Sequence, residues 1–365
     1  MKVTPWEVSG DVDYDKLVKQ FGVKRIDAKM RARLKKLAGE EHHMLRRDIF
    51  FSHMYFDKIL DAVEKGEPVY MYTGRAPSGP VHLGHAVPWL FAKWLQDAFG
   101  CKLIFQIPDE EKPMFKKGCS WDDVAKWTDD NILDIIAIGF DPEKTKIVID
   151  TKHASLMYKT ACRVAEKTTA STAKALFGFT DSDNVGKYFY SCMQSVPAFL
   201  PSILEGKRTP CFIPCAIDQD VHFRLTRDVA EKLGYPKPST LLCRFLPGLG
   251  GAGKLSSSEG AMITMTDDPK TVRKKIMKYA FSGGKETVEE HREKGGDTSV
   301  DVSYQWLTFF EKDDKKLARV KKEYESGKML SGEIKQILVD KVNELLAAHQ
   351  ERREKAAKLV EQFIL

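Results

Sequence analysis

The chain reads as an α/β protein: a parallel sheet covered by helices, followed by an all-helical C-terminal domain. Three observations carry this. First, five short apolar runs alternate with helical patterns between residues 69 and 246, which is the grammar of βαβ crossovers in a sheet buried on both faces. Second, the stretch Tyr70 to Pro88, YMYTGRAPSGPVHLGHAVP, passes from a strand through a Gly/Pro loop into a helix start. Third, the strand pattern stops beyond Thr266, and helical periodicity continues to the end.

Composition sets the frame. The 365 residues are 42% hydrophobic and 30% charged, as in a soluble globular chain with two or three domains. No uncharged apolar run is long enough to span a membrane. The N-terminal MKVTPWEVSGDVDYD lacks the apolar stretch of a signal peptide and carries acids, so the cytoplasm is the expected compartment. The seven cysteines are scattered without a C-x-x-C pair, which suits a reducing compartment. Cys211 and Cys215 fall in an apolar run and read as buried strand residues. The net charge of +6, from 58 basic and 52 acidic residues, permits a polyanionic partner without requiring one.

Residues 1–60 form a mixed leader that is expected to pack on the core. A short strand or hairpin is expected around Trp6–Val8. Asp27–Leu45 has the look of a charged, solvated helix, with Met30, Leu34 and Leu37 at helical spacing. His42 and His43 have no spaced third ligand and read as surface or capping residues, not metal ligands.

The second segment, 61–268, holds the sheet. Its strands are expected at Val69–Tyr72, Leu103–Ile107, Lys146–Ile149, Cys211–Ile217 and Leu241–Leu246. Val87, Leu90, Phe91, Trp94 and Leu95 share one helix face, as do Ile132, Ile135 and Ile136. Residues from about 150 to 210 read as a mostly helical insertion. In an open α/β sheet, ligands sit beyond the carboxyl ends of the strands. The loops after Tyr72, Ile107 (PDEEK) and Ile217 (DQD) lie at such ends. Helical signals then run through 269–355, at Val272–Tyr279, Val302–Phe310, Leu317–Tyr324 and a long last stretch striped by Ile334, Leu338, Val342 and Leu346. Residues 356–365 end that last helix and are read as returning to the catalytic segment. The basic residues Arg352, Arg353 and Lys355 read as a solvated face.

Two motifs carry chemistry. His82-Leu83-Gly84-His85 opens a helix directly after a strand and a Gly/Pro loop. Free backbone N–H groups and the positive end of the helix dipole favour phosphate there, yet no Walker lysine is present. The second, Gly248–Ser258 (GLGGAGKLSSS), matches G-x-G-x-x-G literally. It comes too late in the chain for a dinucleotide fingerprint, and Leu255 cannot supply the hydroxyl a P-loop needs after its lysine. Taken alone it is a flexible surface loop. It would present one ammonium and three hydroxyls, a set suited to a phosphate tail.

As a pair, HLGH and KLSSS resemble the HIGH and KMSKS signatures of class I aminoacyl-tRNA synthetases. Further segments narrow the resemblance to eukaryotic-type tryptophanyl-tRNA synthetases: YTGRAPSG, QIPDEEK, FGFTDSDNVGK, PCAIDQDVHFRLTRDVA and YAFSGGKETVEEHR. The resemblance spans nearly the whole chain. It implies a Rossmann-like, HUP-type sheet that activates L-tryptophan with ATP and Mg2+, without a protein metal site, and charges tRNA(Trp) as a homodimer. The insertion around 150–210 would lie at the dimer interface.

Residue by residue, His82, His85 and Lys254 would be catalytic. Gly74, Gly84, Ser256, Ser257 and Ser258 would contact ATP. Tyr72 and Gln106 match the pair that recognises the indole N–H. Glu111, Gln194 and Gln219 match residues that hold the amino and carboxylate groups. Phe281, Lys285 and Glu286 match positions that read anticodon bases in the helical domain, although they also suit a turn between helices. Without the resemblance, Tyr72 would read as core and Glu111 as a solvated acid. Gln106, a polar residue inside LIFQI, demands a partner on its own account.

Ala76 stands where the family has Gly, and Pro108 where it has Ser or Thr. The Ser78–His82 loop is one residue shorter than in vertebrate relatives, and Leu255 and Ser257 replace the commoner Met and Ala. None of these removes a charged or catalytic group. A tyrosine-specific relative and a small-molecule nucleotidyltransferase sharing H-x-G-H are the competing readings.

Overall fold

The computed structural model describes residues 2–3, 8–9, 12–251 and 261–365. Lys254, Ser256, Ser257 and Ser258 therefore lie outside the described residues. The strands are β1 (Lys2–Val3), β2 (Val8–Ser9), β3 (Lys24–Arg25), β4 (Phe50–Met54), β5 (Tyr70–Gly74), β6 (Lys102–Ile107), β7 (Thr145–Ile149), β8 (Cys211–Ala216) and β9 (Ser239–Cys243). β1 and β2 form a separate antiparallel hairpin. The other seven make one sheet in the order β3-β4-β9-β8-β5-β6-β7.

The pairs β8–β9, β5–β8, β5–β6 and β6–β7 are parallel. These are the five expected strands, with ends that differ by at most three residues. The core is Rossmann-like, and a helical C-terminal region follows it. The parallel sheet carries one addition that the strand pattern did not announce. β3 and β4, from residues 1–60, add an antiparallel edge beside β9. Phe50–Met54 reads FFSHM, with neither alternation nor a continuous apolar run. Even so, its first four residues are buried.

β5 is the pivot of the sheet. The chain leaves it toward β6 on one side, and β8 returns on the other, so the carboxyl end of β5 is a topological switch point where the loops part and leave a crevice. The helix Leu83–Phe99 follows β5 and packs Leu83, Ala86, Val87, Phe91 and Leu95 into the sheet. Pro88 sits inside it and cannot donate to the Gly84 carbonyl. The residues between β7 and β8 form the helices Ala154–Glu166, Ala170–Phe177, Val185–Met193 and Leu200–Glu205.

One apolar cluster runs without a break from the sheet, through the helix Trp121–Ala137, into the C-terminal helices, where it includes Trp306, Leu338 and Val342. A second fills the opposite face of the sheet around Tyr72, Ile213 and Phe223. The end of the chain comes back to the sheet edge: Leu365 N–H donates to the Ile147 carbonyl at 3.1 Å, and Lys146 Nζ reaches the Gln362 carbonyl at 2.5 Å.

Two local expectations change. His42 does cap the helix His43–Arg46, accepting from Met44 N–H at 3.2 Å. His43 is not at the surface: it is buried and lies 2.8 Å from the Phe309 carbonyl. Burial lowers its pKa to about 4 and that of His42 to about 3. Nor is the basic face of the last helix wholly solvated: Arg352 and Lys355 are exposed, but Arg353 is partly buried. Arg352 Nε donates to the Ala137 carbonyl at 2.6 Å, and Arg353 pairs with Asp130 and Asp134. Helical spacing cannot reveal this, because a helix that docks through charged residues has the same polar pattern as one that faces water.

Candidate active site

The site is built where three strands end. β5 delivers Tyr72 and Gly74, β6 delivers Gln106, and β8 delivers Ile213 and Cys215 into one cavity. Gly74 lies opposite Gln106 in the parallel ladder. A Cβ at Gly74 would stand 2.8 Å from the Gln106 carbonyl oxygen and 3.2 Å from its Cβ. Only a hydrogen fits, because the obstruction is backbone. Gly74→Ala is therefore expected to cost about 1–3 kcal/mol through overpacking. A lowered Tm would check this, and an unchanged Tm would contradict it.

Glu111 starts the short helix Glu111–Phe115 after β6. Gln194 follows the helix Val185–Met193, and Gln219 ends the turn Ile217–Gln219. The cavity thus gathers Tyr72, Gly74, Gln106, Glu111, Gln194 and Gln219 from five separate parts of the chain. Ala76 and Pro108, two of the departures noted above, also line it. The helix Asp220–Ala230 behind it is anchored by Asp220, fully buried, whose carboxylate takes Arg227 at 2.9 Å and Thr240 Oγ1 at 3.1 Å.

The polar side chains form one chain of hydrogen bonds. The Tyr72 hydroxyl donates to Gln106 Oε1 and accepts from Gln194 Nε2 at 2.9 Å. Gln106 Nε2 donates to Asp150 Oδ2 at 2.6 Å. The Tyr190 hydroxyl lies 2.8 Å from both Glu111 Oε2 and Gln194 Oε1. Lys112 Nζ pairs with Glu111 Oε1 at 2.7 Å.

The Tyr72 phenol is held neutral, because burial and the neighbouring acids push its pKa well above the usual value. After these bonds the Tyr72 oxygen and Gln106 Oε1 each keep one lone pair, so together they offer acceptors to an apolar ligand with one N–H. Burial raises the Glu111 pKa, but the Lys112 charge, with hydrogen bonds from Lys112 and Tyr190, outweighs it and the net shift is downward. Glu111 is therefore a partly enclosed carboxylate.

His82 and His85 stand at the start of the helix Leu83–Phe99, next to this cavity in sequence but not among its lining residues. Their rings stack with centroids 3.5 Å apart. The His82 N–H donates to His85 Nδ1 at 3.3 Å, which fixes that nitrogen as an acceptor. Gly84 between them is partly exposed. The described chain resumes after the second motif beside this helix start. Met265 N–H donates to the Val81 carbonyl, Leu83 N–H donates to the Ile263 carbonyl, and His82 bridges Thr264.

Phe281, Lys285 and Glu286 are not part of the cavity. They lie in the exposed turn between the helices Pro269–Tyr279 and Val288–Lys294. Phe281 is 50% exposed and packs close to Gly251.

Sequence reasoning missed Arg75, Asp150 and Tyr190. Arg75 is buried with its Nη2 on the Gly79 and Pro80 carbonyls. Tyr190, in the aromatic helix YFYSCM, reads as core. Asp150 follows the apolar run IVI at a strand's carboxyl end, and that position was its available signal.

Comparison with known proteins then decides the family. The model of the class I tRNA synthetases (W and Y) matches residues 64–347. The chain belongs to that family. It is 50% identical over 364 residues to the tryptophan–tRNA ligase of Saccharolobus solfataricus, covering 99% of this chain and 94% of that one. It is 47% identical to the cytoplasmic tryptophan–tRNA ligase of Saccharomyces cerevisiae, covering 96% of this chain and 85% of that one. Among solved structures, a product-bound parasite tRNA synthetase superposes with a TM-score of 0.93 at 41% identity, with 97% of each chain covered. The Plasmodium falciparum tryptophanyl-tRNA synthetase gives 0.90 at 41%, covering 97% of this chain and 95% of that one.

Proposed function

We propose that the chain is an ATP-dependent tryptophan–tRNA ligase. The observation that carries this is the cavity itself: a phenol–amide pair with free acceptor lone pairs, and a carboxylate, enclosed beside the HLGH helix start. The indole N–H would sit against Tyr72 and Gln106, and the α-ammonium against Glu111. Gln194 and Gln219 complete the polar rim.

In the first step the tryptophan carboxylate attacks the α-phosphorus of ATP in line. A carboxylate oxygen–phosphorus bond forms, the bond to the bridging oxygen breaks, and pyrophosphate leaves, giving tryptophanyl-adenylate. His82 and His85 contact the phosphates, and Gly74 and Gly84 leave room for the nucleotide. Lys254, with Ser256, Ser257 and Ser258, stabilises charge growing on the pyrophosphate. The hydrogen bonds of Ile263–Met265 to Val81–Leu83 support this role, since they tie the segment just after that motif to the HLGH helix. Mg2+ would arrive with ATP, held by the phosphates. In the second step a terminal ribose hydroxyl of tRNA(Trp) attacks the acyl carbon, and AMP leaves.

The same reading assigns residues 61–268 to catalysis, with 1–60 packed on them and 356–365 returning to them, and 269–355 to the tRNA anticodon. Phe281, Lys285 and Glu286 would present a stacking face and polar groups to unpaired bases. A homodimer would meet across the helices of 150–210, where Tyr158 and Val185 are exposed apolar side chains. The compartment would be the cytoplasm. Among the described residues no helix is long and apolar enough to cross a membrane.

The test is amino-acid-dependent exchange of pyrophosphate into ATP, with tryptophan and tyrosine side by side. Tryptophan alone is expected to support exchange. Exchange with tyrosine only, or with neither, would overturn the reading.

A further inference from the structure

Gln106 can read an indole N–H only if its oxygen, not its nitrogen, faces the cavity. A glutamine amide is nearly symmetric in shape, so packing does not choose between the two orientations. Tyr72 does not choose either, because a phenol hydroxyl can donate or accept. The choice must come from the far side of the amide. There, Asp150 Oδ2 accepts from Gln106 Nε2 at 2.6 Å.

Asp150 is 1% exposed and sits just past β7, the strand beside β6. Its carboxyl interacts with a second buried acid, Glu110, which is 8% exposed. Asp150 Oδ1 and Glu110 Oε2 are both buried atoms with no other donor. One proton shared between the two acids satisfies both oxygens. With that proton at Asp150 Oδ1, facing Glu110, Oδ2 is left purely as an acceptor.

We infer that Asp150, backed by Glu110, is a positioning residue for substrate specificity: it holds the Gln106 amide with its oxygen toward the cavity and so sets the site to accept one ring N–H. Electrostatics agrees with the shared proton. Burial and mutual repulsion push both carboxyls upward, Glu110 to about 7 and Asp150 well above the ordinary range. A pair carrying one proton avoids two unpaired buried charges.

The inference rests on the tryptophan reading above, and the test separates the two. Exchange kinetics are measured with tryptophan and with its benzothiophene isostere, in which sulfur replaces the N–H. Wild type is expected to prefer tryptophan. In Asp150→Leu and Asp150→Ala the amide is free to turn. The tryptophan KM should rise roughly tenfold, the scale of one lost hydrogen bond to a buried partner, while the isostere's KM stays nearly constant. Asp150→Asn should restore the preference, since its oxygen accepts from Gln106 and its amide donates to Glu110.

The ratio of the two substrates is taken within one sample, so partial loss of folded protein cancels. If neither truncation yields soluble protein, Asp150→Asn alone still decides: loss of its preference would overturn the inference. So would equal KM rises for both substrates in the truncations, or a wild type indifferent to the N–H, and in each case the tryptophan reading would stand. A wild type without tryptophan-dependent exchange would overturn that reading and the inference with it.

Discussion

Glu111→Gln is expected to lower kcat/KM for tryptophan about 100-fold, with most of the loss in KM. A hydrogen bond to a charged group is worth roughly 1.5–3 kcal/mol, and 1.36 kcal/mol is tenfold. Glu111 should act near the upper end of that range because its side chain is only 12% exposed. Its two oxygens already serve Lys112 at 2.7 Å and Tyr190 at 2.8 Å, so the carboxylate is fixed before a ligand arrives. Glutamine keeps the size and one acceptor but removes the charge that an α-ammonium would meet. It also presents an NH2 group to Lys112 or to the ligand, whichever it faces.

The interaction is present in the bound ground state as well as in the transition state, so kcat should change little. Two fragments make the result specific. Tryptamine keeps the ammonium and should bind the variant weakly. Indole-3-propionate lacks it and should bind variant and wild type alike. Equal weakening of both fragments would assign Glu111 to the shape of the cavity instead of to the ammonium.

The five parallel strands were legible because each is a short apolar run with a helix-period segment after it, and burial on both faces removes any need for alternation. β4 was not legible. FFSHM mixes two phenylalanines with Ser52 and His53, both buried in the sheet. Nothing in the chain says that those polar groups will lie between β3 and β9 in the sheet. The cavity was legible only in part by chemistry. Gln106 announces itself as a polar residue in an apolar strand. Tyr72, Gln194 and Gln219 became visible only through the resemblance, since an isolated tyrosine or glutamine is equally at home in a core or at a surface. Asp150 was missed because an acid after a strand usually faces water. Its buried partners are Gln106 and Glu110, about 40 positions earlier, and contacts that distant leave no periodic trace. His43 and Arg353 were misread for the same reason, their partners being Phe309 and Asp134.

Asp134 is the residue whose loss should cost the fold most. It sits on the helix Trp121–Ala137, behind the sheet, and is 1% exposed. Its Oδ1 accepts from His349 Nε2 at 2.9 Å and from Arg353 Nε at 2.8 Å, both on the helix Ser331–Ala356. Arg353 also reaches Asp130 at 2.5 Å. The contact is therefore a buried acid gripping the C-terminal helix by two side chains one turn apart.

Asp134→Ala leaves a buried imidazole and a guanidinium without this acceptor. Breaking a buried pair by removing one partner costs about 3–5 kcal/mol. Urea unfolding should show a loss on that scale. Asp134→Asn, which can still accept one hydrogen bond, should lose roughly half of it. Since the apolar cluster is continuous across this joint, unfolding should remain a single transition with an unchanged m-value. A separate, earlier transition of the C-terminal helices in Asp134→Ala would show instead that the polar grip, and not the shared core, makes the two regions one cooperative unit. The tryptophan KM of the folded variant should match wild type, because Asp134 does not line the cavity. A stability loss below about 1 kcal/mol would mean that water replaces the carboxylate at this joint.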